Sequence, residues 1–397
     1  MDSGNSLVSK ADLSIEIPPF LSTAFLHAAH IFFPPTIFSL ILPLTDSAES
    51  PISPFAMHEL PFKPDAPWLA PLAGYSDLPF RMLCRSFGAA CCVTEMVSAK
   101  GLVYGGHGTA RLLTSDAGDA PLVVQLFGSE PAIFDRAMPL LLERGFTHFD
   151  LNCGCSVRKV TKGGSGSALM AKPALLLAIV EVMLRHAGPG RVGVKLRLGS
   201  APGEKNYLDM GQRLADLGAG WLALHPRTAR QLFGGAADWS AIGTLARAVS
   251  IPVLASGDLF TAETAARCLA ETGCAGVMFA RGALIDPMIF QRLKDILAGR
   301  ESAQRTPESL AATTSLHIEL ARNLDGTPRA LRALRAFLPR YAKGFSGIRA
   351  LRQAFLQCGS WEELEDTAGR IAGLCEDAAP DDESDGPDVS DLADLSD

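Results

Sequence analysis

The chain has 397 residues, of which 48% are apolar and 20% are charged, so it can form a large hydrophobic core and cannot be disordered throughout. A length near 400 fits a barrel of about 250 residues with a smaller domain attached. The net charge of −7 comes from residues 376–397, which hold ten acidic and no basic side chains; without them the charge is +3. A polyanionic partner is therefore not excluded.

Residues 1–62 are the first predicted segment. Positions 17–45 contain no Asp, Glu, Lys or Arg. That length could cross a membrane, but Pro34 and Pro35 interrupt it. A secretory signal would need a positively charged start, whereas Lys10 is outnumbered by nearby acidic residues. We expect a poorly ordered N-terminal extension without stable membrane association; a membrane anchor is the alternative.

Residues 63–300 alternate short apolar, β-branched runs with longer helical patterns, which is typical of repeated βα units around a parallel sheet. Eight such runs favour a closed (β/α)₈ TIM barrel of the α/β class over an open sheet. The predicted strands are 68–71, 90–94, 121–126, 148–151, 192–196, 221–225, 252–255 and 276–279.

Residues 301–375 show a purely helical pattern and are predicted to form a small all-helical domain after the barrel. Within it, positions 329–352 carry seven Arg or Lys residues and no acidic residue. Such a segment attracts phosphate and indicates a polyanionic partner, the alternative being a solvated helix face. Residues 376–397 are poor in bulky apolar side chains and are predicted to be a disordered acidic tail.

The nine cysteines show no spacing typical of a metal site or a disulfide framework, so neither is predicted and the cytoplasm is the expected location. Cys155 differs from the other cysteines. It follows Asn152 and Gly154 at a predicted strand end and precedes Arg158 and Lys159. A thiol in such a basic, glycine-rich loop can act as a general acid or as a nucleophile.

Other polar residues end neighbouring strands, where the working groups of a barrel enzyme lie. Lys195 would be costly to bury without an anion, which a reduced flavin or a salt bridge to Glu95 would supply. Gln125 and Asn152 are amides suited to the edge of a flavin or a uracil. His225 either forms hydrogen bonds in its neutral state or transfers a proton.

Small residues follow the last two predicted strands, where backbone N–H groups can approach a phosphate. The guanidinium group of Arg281 adds positive charge there. The alternative is that the glycines are ordinary turn residues. The predicted phosphate site comprises Ser256, Gly257 and Asp258 after the seventh strand and Ala280 and Arg281 after the eighth.

Six segments of the chain stand in the order of a known family's signatures. They are APLAGYSDLPFR at 70–81, TEMVSAK at 94–100, residues 152–170, residues 225–239, SGD at 256–258 and RGAL at 281–284. Over residues 69–352 the chain thereby resembles the tRNA-dihydrouridine synthases. The resemblance implies an FMN-dependent barrel enzyme that uses NADPH or NADH to reduce a tRNA uridine to 5,6-dihydrouridine. A hydride passes from flavin N5 to C6 of the uracil, and Cys155 matches the cysteine that protonates C5.

The resemblance and the strand-end positions together assign the remaining site residues. Those expected to bind the cofactor are Pro71, Leu72, Ala73, Gln125, Lys195, His225, Ser256, Gly257, Asp258, Ala280 and Arg281. Those expected to bind the substrate are Asn152, Arg227, Arg335, Lys343 and Arg352. The last three lie in the helical domain, which grips tRNA in this family. We expect a monomer without a metal ion.

The chain departs from the family pattern at several positions. Ser256 replaces an Asn of the phosphate loop but keeps its backbone N–H, and Ser156 replaces a Pro and relaxes the turn after Cys155. Leu72 stands where the family usually has Met, and Pro226 and Ala280 stand where it has Gly.

Two other functions stay open at the level of sequence. A related FMN barrel, similar to dihydroorotate dehydrogenase, would act on a free pyrimidine and would not need the basic segment 329–352. A tRNA-binding protein without catalysis is the second alternative. The presence of both Cys155 and Lys195 argues against it.

Overall fold

The computed structural model describes residues 59–106, 108–345 and 348–371. These residues form a parallel β-barrel with surrounding helices, followed by further helices. The N-terminal extension up to residue 58, including the uncharged stretch 17–45, and the acidic tail lie outside the described residues. None of the described helices is long and apolar enough to cross a membrane.

Nine strands form one sheet among the described residues: β1 (Trp68–Leu69), β2 (Cys91–Val93), β3 (Val97–Ser98), β4 (Leu122–Phe127), β5 (His148–Cys153), β6 (Val192–Arg197), β7 (Trp221–His225), β8 (Val253–Ala255) and β9 (Gly276–Phe279). Neighbouring strands are parallel throughout. β1 pairs with β2 and β9, and β2 also pairs with β4, which closes eight strands into a ring. The predicted (β/α)₈ barrel is confirmed.

Each predicted strand coincides with an observed strand, with ends that differ by two residues at most. β5 runs further than predicted because the ladder with β6 continues through the pairs Asn152 with Lys195 and Cys153 with Leu196. The short β3 pairs with the end of β4 and was not predicted, since two residues carry no periodic signal.

The barrel helices are α1 (Leu78–Ser86), α2 (Ala99–Val103), α3 (Thr109–Leu112), α4 (Pro131–Leu142), α5 (Arg158–Thr161), α6 (Pro173–Ala187), α7 (Tyr207–Leu217), α8 (Trp239–Ala248), α9 (Ala262–Thr272), α10 (Arg281–Ile285) and α11 (Ile289–Leu297). The C-terminal helices are α12 (Pro307–Leu324), α13 (Pro328–Phe337), α14 (Ile348–Gln357) and α15 (Trp361–Gly369). The βα pattern therefore ends between Leu297 and Pro307. That the two parts are separate domains stays a prediction.

The first two C-terminal helices begin at Thr-Pro pairs. The Thr306 side chain accepts the backbone N–H of Ser309, the Ser309 hydroxyl accepts the backbone N–H of Thr306, and Pro307 opens α12. Thr327 and Pro328 begin α13 in a similar way, again with a threonine cap. Both residue types are preferred at these positions, so the sequence itself sets where α12 and α13 begin.

A buried aromatic cluster attaches the C-terminal helices to the barrel. The ring of Phe80 in α1 lies 5.1 Å from that of Phe337, which lies 5.1 Å from His317 in α12. The Tyr341 hydroxyl is 2.8 Å from Nδ1 of His317. Burial lowers the pKa of His317 to about 3, so this histidine is neutral. The cluster fixes α12 and α13 against α1.

The floor of the barrel is filled by large rings near the amino ends of the strands. Trp68 and Trp221 lie 5.9 Å apart, and Phe62 stacks on Trp68 at 5.3 Å. Gly193 pairs with Trp221, and a Cβ atom at Gly193 would lie 2.0 Å from the indole Cε2. The indole therefore occupies the volume that a side chain would need.

This contact predicts that Gly193→Ala destabilises the fold by about 2 to 3 kcal/mol, because a methyl group would be forced into a filled core. Gly203→Ala is the matched control, since Gly203 is exposed and its added Cβ would meet nothing within 4 Å. We expect the control to change stability by no more than about 0.5 kcal/mol. Urea unfolding measures both, and equal midpoints for the two variants would contradict the packing described.

Candidate active site at the mouth of the barrel

The carboxyl ends of the strands bring most of the predicted site residues together. Gln125 of β4 pairs with Asp150 of β5, and Asn152 pairs with Lys195 of β6. Further round the ring, His225 ends β7. The remaining predicted cofactor residues follow β8 and β9, and these are Ser256, Gly257, Asp258, Ala280 and Arg281.

Three side chains form a hydrogen-bonded series across β4 and β5. Nε2 of Gln125 donates to Oδ2 of Asp150 at 2.6 Å, and Nδ2 of Asn152 donates to Oε1 of Gln125 at 2.7 Å. Burial raises the pKa of Asp150 to about 7, an effect that the hydrogen bond from Gln125 and the charge of Lys195 partly offset. The two amides are thus held by protein groups, with fixed orientations.

The loop that carries Cys155 is fixed at both of its sides. Oδ1 of Asn152 accepts the backbone N–H of Cys155 at 2.9 Å, and the backbone N–H of Ser167 donates to the Cys155 carbonyl at 2.8 Å. The hydroxyls of Ser156 and Ser167 lie 3.2 Å apart. Ser156, which stands where the family usually has Pro, therefore holds the turn through a side-chain hydrogen bond.

Gly166 allows the returning chain to approach this loop closely. Its φ is +61°, and a Cβ atom there would lie 2.6 Å from the Cys155 carbonyl oxygen. Cys155 itself is only partly buried, whereas the other cysteines among the described residues are buried. The loop therefore presents one thiol to the barrel mouth.

The Cys155 thiol is held in its protonated form. Burial raises its pKa, and a contact with the Val157 backbone and the positive charges of Arg197 and Lys195 offset only part of that effect. A thiol with a raised pKa remains a proton donor at neutral pH. This favours the general-acid role of Cys155 over the nucleophilic one.

Lys195 lies in the same mouth without a direct partner. Burial and the charge of Arg197 lower its pKa to about 8. Its ammonium makes no hydrogen bond or ion pair with any described residue. Glu95, the salt-bridge partner considered from the sequence, instead accepts the Gly74 N–H at 2.5 Å and lies 3.9 Å from Arg111. An anionic ligand would therefore satisfy Lys195.

His225 is neutral and its tautomer is set by a neighbour. Burial and the nearby cations, led by Arg197, hold its pKa well below the usual range. Nη1 of Arg227 lies 3.3 Å from Nε2 of His225. Because arginine only donates, Nε2 accepts and Nδ1 carries the proton. His225 thus offers an N–H donor.

Arg227 is buried, and its guanidinium group donates hydrogen bonds to protein groups. Nη1 and Nη2 donate to the two carboxylate oxygens of Asp258 at 2.8 and 2.7 Å. Further donors reach the carbonyls of Gly234 and Gly235. The arginine therefore ties the loop after β7 to the residue that follows β8.

The ends of β8 and β9 expose several backbone N–H groups. No acceptor among the described residues takes up those of Gly257, Arg281 or Gly282. Ser256 differs from the expectation, because its backbone N–H donates to the Leu224 carbonyl within the barrel. The Ser256 hydroxyl bonds to no described residue, so it can donate to a phosphate instead of the Ser256 backbone N–H.

Arg281 lies beside these groups, with its guanidinium 3.5 Å from Asp258. It also lies over the rings of Phe233 and Phe260, at 4.5 and 4.7 Å from their centroids. The aromatic rings hold the charge at the mouth while leaving its edge open to an anion.

The loop after β1 folds on itself. Ser76 Oγ accepts the Leu72 N–H, and the Leu72 carbonyl accepts the N–H groups of Tyr75 and Ser76. Pro71 has no N–H, so Ala73 is the member of the predicted trio 71–73 whose backbone N–H bonds to no described residue. That residue is exposed at the mouth.

The basic residues of the C-terminal helices differ in exposure. Arg352 is exposed, whereas Arg335 and Lys343 are half-buried. Nη1 of Arg335 donates to the Cys358 carbonyl at 3.0 Å, which joins α13 to the end of α14. Three more arginines are exposed on α13 and α14, namely Arg329, Arg332 and Arg349.

Comparison with known proteins identifies the family. Residues 68–373 match the family model described as "Dihydrouridine synthase (Dus)". The chain belongs to the dihydrouridine synthase family. The relative named "Probable tRNA-dihydrouridine synthase 1" from Synechocystis is 36% identical, over 77% of this chain and 87% of the relative. "tRNA-dihydrouridine synthase B" from Pseudomonas aeruginosa is 31% identical, over 77% and 90%. The resemblance seen in the sequence motifs is confirmed.

The structure adds two residues to the site of this family member. Asp150 lies between Phe149 and Leu151 in a buried strand, and an acid inside an apolar run is the signal that could have revealed it. Arg197 donates to the Gly154 carbonyl at 2.9 Å, which links β6 to the Cys155 loop. In the described parts of the chain, no cluster of three metal-binding side chains occurs.

The raised pKa of Cys155 predicts its pattern of alkylation. We expect iodoacetamide to label the flavin-loaded protein at Cys155 first, because the other described cysteines are buried. The rate of alkylation should rise with pH to a midpoint above about 8.5, the pKa of an exposed cysteine thiol, because burial disfavours the thiolate. Peptide mass spectrometry measures it, with Cys155→Ala as control. A midpoint below 8 would contradict the protonated thiol.

Proposed function

We propose that the chain reduces a uridine of tRNA to 5,6-dihydrouridine, with FMN at the barrel mouth and NADPH or NADH as reductant. The observation that carries this proposal is the partly exposed thiol of Cys155 at the mouth that also holds the unpaired ammonium of Lys195. Family membership and the names of the relatives support tRNA as the substrate. The free cysteines fit work in the cytoplasm, where thiols stay reduced.

The mouth fits a flavin mononucleotide at both of its ends. The N–H groups of Gly257, Arg281 and Gly282 suit a phosphate, with the Arg281 guanidinium beside them. Lys195 supplies a cation for the ring edge that becomes negative on reduction, and His225 supplies an N–H donor. Bound there and reduced by NADPH, FMN would supply the hydride that adds to C6 of the uracil.

The protein's own groups then complete the reduction. Cys155 gives its proton to C5, which leaves a thiolate that regains a proton from water. Lys195 and Arg197 lower the energy of this thiolate by their charge, as their effect on the Cys155 pKa indicates. Asn152 holds the Cys155 backbone in place during the transfer.

A uridine within a folded tRNA must leave its stack before it can enter the mouth. We assign the phosphate contacts that hold the RNA to the exposed arginines of α13 and α14, including Arg352, with Arg335 and Lys343 at their edge. Arg227 is buried against Asp258, so we assign it to positioning His225 and the loop after β8.

Replacing the proposed acid tests the reaction directly. Cys155→Ala should lower the rate of dihydrouridine formation on unmodified tRNA by about 100-fold or more, because general acid catalysis is lost. The rate of flavin bleaching by NADPH should not change. Cys153→Ala is the matched control, since its buried thiol lies two residues away, inside β5.

Three outcomes would contradict the proposal. Full activity of Cys155→Ala would show that the Cys155 thiol takes no part in the reaction. NADPH oxidation that is indifferent to tRNA but stimulated by a free pyrimidine would indicate a small-molecule reductase. A purified protein without flavin absorbance would leave only a binding function.

The exposed arginines predict a change in the salt dependence of tRNA binding. Replacing Arg349 and Arg352 by Gln should lower the slope of log K against log salt by about 1.4 to 1.8, because two phosphate contacts are lost. Arg213→Gln on α7 is the control, since this exposed arginine pairs with Asp209 on a barrel helix. Fluorescence titrations between low and moderate salt measure the slopes. Equal slopes in all three proteins would place the RNA elsewhere.

A further inference from the structure

Asp150 is a charged side chain in the interior of the barrel, 2% exposed. Its Oδ2 atom accepts the hydrogen bond from Gln125 at 2.6 Å, while Oδ1 has no hydrogen-bond partner among the described residues. No cation of the described residues lies within ion-pair distance of it. Burying a carboxylate so incompletely compensated costs free energy, so an apolar residue would serve the core better.

The direction of every hydrogen bond above Asp150 follows from its acceptor atom. In the structure the amino group of Gln125 donates to Oδ2 of Asp150, so the carbonyl oxygen of Gln125 faces away from Asp150. That oxygen accepts from Nδ2 of Asn152 at 2.7 Å. The carbonyl oxygen of Asn152 is thereby turned toward the backbone N–H groups of Gly154 and Cys155, at 3.2 and 2.9 Å.

Without the acceptor at Asp150, the amide of Gln125 could rotate by half a turn. Its amino group would then meet the amino group of Asn152, which would rotate in turn. The Cys155 loop would lose the oxygen that accepts its two N–H groups. No other side chain among the described residues accepts the N–H of Cys155.

We propose that Asp150 is a positioning residue for the Cys155 thiol, acting through the orientations of the Gln125 and Asn152 amides. The inference rests on the proposed function, in which Cys155 is the proton donor. Asp150 does not touch the substrate. Asp150 sets the position from which the Cys155 thiol gives its proton.

The test compares two replacements of Asp150 in the flavin-loaded protein. Asp150→Asn keeps an oxygen that can accept from Gln125, whereas Asp150→Ala removes it. Pre-reduced protein is mixed with tRNA without oxygen, and flavin reoxidation is followed in H₂O and D₂O. We expect Asp150→Ala to slow reoxidation by about 10- to 100-fold, as misplacement by about 1 Å can do, and to raise the solvent isotope effect. Asp150→Asn should stay within about 5-fold of wild type.

A second measurement tests whether the effect passes through Asn152. Asn152→Ala alone and the double variant with Asp150→Ala should be equally slow, because residues acting through one hydrogen-bonded series are not additive. The KM for tRNA should be unchanged by Asp150→Ala, because the exposed arginines of α13 and α14 are not altered. If Asp150→Ala does not fold, Asp150→Ser takes its place, since the shorter hydroxyl cannot reach Gln125.

Several results would overturn the inference. Equal rates for the Asn and Ala variants would show that the acceptor is not needed. An unchanged solvent isotope effect with a slower rate would place the defect outside proton transfer, and additive losses would separate Asp150 from Asn152. Failure of the proposed function is distinguishable, because wild-type protein would then form no dihydrouridine at all.

Discussion

Gln125 in β4 lies level with Asp150 in β5, and two residues further along β5 Asn152 lies level with Lys195 in β6. In a parallel sheet this register cannot slip by one residue without turning every side chain to the other face. The site depends on it, because the register places an acid, two amides and a cation side by side. The Cys155 loop then begins where β5 ends, held by the second amide.

The charge of the mouth follows from this arrangement. Lys195 and Arg197 come from β6, Arg227 follows β7 and Arg281 follows β9, whereas Asp258 is shared by the last two arginines. Burial, and after it the charge of neighbouring arginines, lowers the pKa of Lys195 to about 8 and that of Arg197 to about 10. So many positive charges on largely buried groups are unfavourable unless anions balance them. The protein therefore stores electrostatic free energy that a phosphate or a reduced flavin would release on binding.

The barrel could be predicted from the sequence, since eight apolar runs separated by helical segments give a strong periodic signal. The sequence was also sufficient to place Cys155 and Lys195 at strand ends, whereas the roles given to them stay predictions. It could not show where a long side chain turns, so Arg227 was predicted to meet the substrate although its guanidinium lies buried against Asp258. Asp150 was not among the predicted site residues, because candidates were taken from the ends of the predicted strands and Asp150 lies inside one.

A last set of contacts joins the C-terminal helices to the loop after β1 at the mouth of the barrel. Arg340, which precedes the Tyr341 of the aromatic cluster, donates to the Tyr75 hydroxyl at 2.7 Å and lies over its ring at 5.0 Å. Tyr75 belongs to the loop that contains residues 71–73, and it also packs on Phe337 of α13. The helices that carry the exposed arginines are thus fixed to the loop at the mouth. For tRNA bound as proposed, the fold then sets the distance from the exposed arginines to Cys155, and the way the tRNA lies on α13 and α14 decides which uridine reaches the thiol.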